Sequence, residues 1–85
     1  MNFLSYKQQK LLLEIFEKGE TTKKDNNIYK SHKFWVGIKP LLYAKVPLIY
    51  MEQNHENRNS VKYKLTVDGT VFVSMLKGVI EWMQS

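Results

Sequence analysis

Residues 62–69 read Lys62-Tyr63-Lys64-Leu65-Thr66-Val67-Asp68-Gly69, KYKLTVDG, and here the apolar pattern changes period from two to about 3.6. On the strand side, Val61, Tyr63, Leu65 and Val67 fall on one face and Lys62, Lys64 and Thr66 on the other. That alternation predicts a strand with one buried face and one wet, basic face. On the helix side, Thr66 is placed as a cap and Asp68 lies in the first turn, where the helix dipole favours a negative charge. The predicted helix runs from about Val67 to Met83, with Phe72, Met75, Leu76, Val79, Ile80 and Met83 along one stripe and Val71, Val73 and Trp82 widening it.

Working back from this junction, Leu48 to Gln53 reads as a short strand, and Asn54 to Ser60 is a polar loop with three turn-prone asparagines. With Val61 to Val67 these make a hairpin. Near the amino end, Ser5 followed by Gln8 matches a capping box, Leu12, Ile15 and Phe16 recur at helical spacing, and Gly19 is placed to end a helix of about residues 6–18. A second helix is expected after it, capped by Thr22 with Asp25 or by Asn26 or Asn27, and turning Ile28 and Tyr29, with or without His32, inward. A third helix is expected from Trp35, Ile38, Leu41 and Leu42, which leave Lys33, Lys39, Tyr43 and Lys45 for other faces. Pro40 means that this helix either begins near Gly37 to Lys39 or starts earlier and bends, and Pro47 closes it. Trp35 is expected in the core, in register with Ile38 and Leu42; the alternative makes it, with Phe34, a stacking platform for single-stranded nucleic acid.

Composition sets the classes of function. The chain has 85 residues, enough for a single domain near the size at which one core becomes marginal without help. With no cysteine, disulfides and thiol chemistry are excluded and a reducing compartment fits. No signal-like h-region and no apolar run of membrane-spanning length is present, so the expectation is a soluble, unprocessed, cytoplasmic protein with no membrane partner. The net charge is +5, and residues 21–50 alone hold six lysines against Asp25, an excess equal to that whole charge. Such a local field attracts polyanions; a merely well-solvated surface is the plainer alternative.

Catalysis finds no foothold: there is no glycine-rich phosphate loop, no helical His-Glu-x-x-His and no serine in a nucleophile elbow. His32 and His55 lie far apart without clustered carboxylates, so no metal site, cofactor or small-molecule ligand is inferred. The last helix carries more apolar surface than a small domain can hide. This points to a homodimer through Phe72, Met75, Val79, Trp82 and Met83, with central burial in the monomer as the alternative.

The order helix, helix, helix, hairpin, long helix resembles the winged helix-turn-helix domains of small archaeal, bacterial and viral regulators, an α+β fold. Leu65-Thr66 and Gly69 look like the Y-x-L-T-x-x-G at which the wing's second strand enters the last helix of that family. Residues 41–49, LLYAKVPLI, are similar to its L-x-x-L-x-x-x-G-L-I exit from the third helix, with Pro47 where the family usually has glycine. The resemblance spans about residues 5–83 of a single domain over 1–85, with 67–83 as the pairing helix. It implies that the third helix enters a DNA major groove and that the hairpin loop touches backbone or minor groove. Carried over by position, Lys33, Lys39, Tyr43 and Lys45 become candidates on the helix, and Asn57, Arg58 and Asn59 at the wing tip. Lys62 and Lys64, on the wet strand face, are candidates for phosphate. Three functions follow as expectations: a homodimeric regulator of transcription on double-stranded DNA, a protein-interaction module of the same fold, or sequence-neutral architectural binding.

Overall fold

The computed structural model describes residues 4–53 and 61–84. Its elements are α1 (Tyr6–Lys18), α2 (Ser31–Leu42), β1 (Ile49–Gln53), β2 (Val61–Leu65) and α3 (Val67–Gln84), an α+β arrangement of three helices and one antiparallel hairpin. The hairpin register runs from Ile49 opposite Leu65 to Gln53 opposite Val61. On the other edge of β2, Thr21 bridges Tyr63 through bonds of 3.0 and 2.8 Å, so β2 is flanked on both sides at its centre.

α1 starts and stops as its sequence predicts. Ser5 Oγ accepts from the Gln8 backbone N–H at 3.1 Å, and Gln8 Oε1 accepts from that of Ser5 at 2.9 Å. Gly19, at φ 90°, turns the chain left-handed and donates to the Ile15 carbonyl at 2.7 Å.

The expected second helix is absent. Between α1 and α2 the polar side chains consume the backbone donors that a helix would use: Thr22 Oγ1 accepts from Asp25 N–H at 2.9 Å, and Asn26 Oδ1 accepts from the N–H groups of Ile28 and Tyr29 at 3.1 and 2.6 Å. The candidate caps hold turns, and the turns deliver the Tyr29 ring onto Gly37, where any Cβ would overlap it.

α2 begins earlier than Pro40 alone would allow, at Ser31, and takes the proline in its last turn. Val36, whose carbonyl loses its helical donor to Pro40, lies on the exposed side of the helix, open to solvent. The inward positions are Phe34, Gly37, Ile38 and Leu41, which corrects the expectation for Trp35 by one residue. Phe34 wins because it meets the Tyr63 ring edge-to-face, centroids 5.2 Å apart, while Trp35 turns outward. With Leu11, Leu12, Ile15, Ile49 and Val73 these side chains form one core drawn from all five elements.

The KYKLTVDG junction is bonded at each step. Thr66 Oγ1 accepts from Gly69 N–H at 3.0 Å, capping α3, and its hydroxyl donates to the Pro47 carbonyl at 2.7 Å. The Thr66 N–H reaches the Leu48 carbonyl at 3.0 Å, and Leu48 N–H reaches Leu41 at the end of α2 at 3.1 Å. Gly69 packs so closely on Leu48 that a Cβ would overlap its carbonyl oxygen.

α3 divides its apolar residues between two faces. Gly69 and Val73 are buried, and Phe72 packs against the core, so Phe72 leaves the expected dimer surface. Val71, Met75, Val79, Trp82 and Met83 remain exposed. Among the described residues no helix is long and apolar enough to cross a membrane.

Candidate nucleic-acid interface

Two ties hold α2 in place. The Gln8 side chain, already part of the α1 cap, donates to the Gly37 carbonyl at 3.0 Å midway along the helix, and the bond from Leu48 to Leu41 anchors its end to the hairpin. With Phe34, Ile38 and Leu41 facing in, the helical period sends His32, Val36, Lys39 and Tyr43 outward at i, i+4, i+7 and i+11. Lys33 and Trp35 flank this stripe, and Lys45 follows just past its end; all are exposed. Trp35 and Tyr43 meet edge-to-face, centroids 6.3 Å apart and planes at 73°, which holds both rings on the outer surface. Lys39 and Tyr43 therefore share the outward stripe, Lys45 stands at its exit and Lys33 lies on its flank.

The electrostatics of this face are one-sided. Residues 26–51 carry Lys30, Lys33, Lys39 and Lys45 and no carboxylate. None of the ion pairs among the described residues involves these four lysines.

The strand lysines are in a different position. Lys62 pairs with Glu20 at 3.1 Å and Lys64 with Glu52 at 2.9 Å, so the face expected to be basic is balanced charge for charge. The hydrogen bond from Lys64 holds the Glu52 carboxyl below the usual carboxylate range, and the same bond raises Lys64. Both lysines are half-buried rather than projecting. As phosphate contacts they are weakened by partners that strand alternation alone does not show. Glu52 was findable, since a hairpin places it opposite Lys62; Glu20 was not, because only the long-range bridge of Thr21 to Tyr63 brings it near. The wing-tip candidates Asn57, Arg58 and Asn59 lie outside the described residues.

Sequence reasoning missed the outward rotation of Trp35 and did not single out Val36 beside it. The signal available was Gly37, whose lack of a side chain marks the inner face on which Tyr29 packs. Burial pushes the Tyr63 phenol up from its ordinary pKa, with a smaller contribution from Tyr43. Comparison with family models, with curated proteins and with solved structures finds no match to this chain.

Proposed function

We propose that this chain is a winged-helix regulator of transcription that binds double-stranded DNA as a homodimer, with α2 in the major groove and the hairpin as a wing on backbone or minor groove. The observation that carries the reading is the unopposed charge of α2 and its exit: Lys33, Lys39 and Lys45 exposed along the helix and just past it, with no carboxylate between residues 26 and 51. Lysines so placed make phosphate contacts that position a helix over the groove. The arrangement of α1, α2, hairpin and α3 is compatible with a winged helix in which the turns of residues 22–30 replace the usual second helix.

The dimer follows from α3. Its outer residues Val71, Met75, Val79, Trp82 and Met83 form a contiguous exposed apolar strip that a second copy of the helix would cover. A two-fold pairing of these helices would present two copies of α2 to successive turns of one face of the duplex.

The test is a DNA titration by fluorescence anisotropy at several salt concentrations, comparing the natural chain with a Lys39→Glu, Lys45→Glu, Arg58→Ala variant whose fold is checked by circular dichroism. The natural chain should lose affinity with a log–log slope of about −0.9 per phosphate contacted, and the variant should bind much more weakly. Equal binding by the two, or no binding at low salt, sinks the proposal. The exposed apolar side chains on α2 and α3 favour the protein-interaction reading as the competitor, which predicts the second of those outcomes.

A further inference from the structure

The outer face of α2 is chemically unusual for a surface that meets phosphate. Val36 is 73% exposed and Trp35 44% exposed, and both sit among cations with no acidic residue on the helix. The outward side chains available to bases are His32, Lys33, Trp35, Val36, Lys39 and Tyr43. None is an Asn or Gln, the pair that bonds adenine at two points, and none is a carboxylate, which would accept from cytosine; the lysines can donate to guanine. His32 and Tyr43 can each offer a hydrogen bond at the two ends of the stripe, but its middle is apolar, and the one apolar feature of the major-groove floor is the C5-methyl group of thymine. Val36 lies in the first half of α2, the part that a recognition helix inserts most deeply, one turn before Lys39 and beside Trp35, whose ring is held by Tyr43.

We infer that α2 selects its DNA by apolar contact with thymine methyl groups, Val36 making the contact with Trp35 walling one side, while Lys33, Lys39 and Lys45 hold the flanking phosphates. This rests on the DNA-binding reading above and adds the class of sequence that the helix prefers. Charge complementarity names the occupant: a groove walled by phosphates and floored by methyls matches an apolar strip rimmed by lysines.

The experiment compares four alternating duplexes at one salt concentration: dA–dT, the same duplex with deoxyuridine for thymidine, dG–dC, and dG with 5-methyl-dC. A buried methyl contributes about fourfold in affinity, so two of them should favour each methylated duplex over its unmethylated counterpart by about fifteenfold. In a Val36→Ser variant, a change at an exposed site, both ratios should fall toward one while the salt slope stays unchanged. Equal affinity of the natural chain for methylated and unmethylated duplexes, with salt-dependent binding intact, overturns the inference and leaves the DNA-binding reading standing. Full methyl discrimination by Val36→Ser also overturns it. Failure to bind any of the four duplexes at low salt overturns both, the result expected if the strip docks an acidic protein instead.

Discussion

Thr66 and Gly69 show how much one short motif can settle. The Thr66 hydroxyl both donates to Pro47 and caps α3 through the Gly69 N–H, so Thr66→Val removes two bonds at once. A loss of about 1–2 kcal/mol is expected, read as a lower urea midpoint at constant slope. Gly69→Ala should cost about 1–3 kcal/mol or more, because the new methyl meets the Leu48 carbonyl, a backbone atom that is itself bonded to Thr66 and cannot swing away. Glu52 supplies a test in pH. Its carboxyl is held low by the bond from Lys64, so its contribution to stability is present above the ordinary carboxylate pKa and fades as pH falls through the lowered value. Lys64→Ala should return the Glu52 titration, followed by carboxyl NMR, toward that ordinary range, with little change in overall stability because the pair is at the surface.

Among the elements, α3 is the one whose surface exceeds what its own domain needs. Gly78 lies on its outer side, where an added Cβ would meet nothing, so within one chain Gly78→Ala should stabilise the helix by about 1 kcal/mol. An open glycine beside Met75 and Val79 also allows a second helix to approach closely. The same substitution should therefore raise the thermal midpoint of dilute monomer and weaken self-association by about tenfold or more in sedimentation equilibrium, two changes of opposite sign. Monomer at tens of micromolar in the natural chain would count against the pairing. For α2 the lesson concerns rotation about the helix axis. Phe34 and Trp35 are adjacent, and each falls in register with Ile38 at three or four residues, so periodicity alone could not choose between them. The choice was made by Tyr63, distant in the chain, across from Phe34, and by Tyr29, which precedes α2 and folds back over Gly37.

At the scale of the whole molecule, the charges sort into two kinds. Strand lysines are neutralised by Glu20 and Glu52, whereas the lysines around α2 are left with their full field. Replacing Lys62 should therefore weaken DNA binding much less than replacing Lys39, a contrast measurable by anisotropy at low salt; equal losses would move the interface onto the strands. Local signals were enough to read α1, the hairpin and the start of α3 from the sequence, because a capping box, a left-handed glycine and a change of period each act over only a few residues. The expected second helix failed for an equally local reason: Thr22 and Asn26 cap turns as readily as helices, and no periodic apolar run follows to pull the backbone one way. The sequence by itself determined where most of the regular elements lie and that the positive charge concentrates in residues 21–50. Tertiary structure alone decided which residues face outward and which charges are cancelled. Those depend on contacts such as Thr21 with Tyr63, formed between segments that local pattern does not connect.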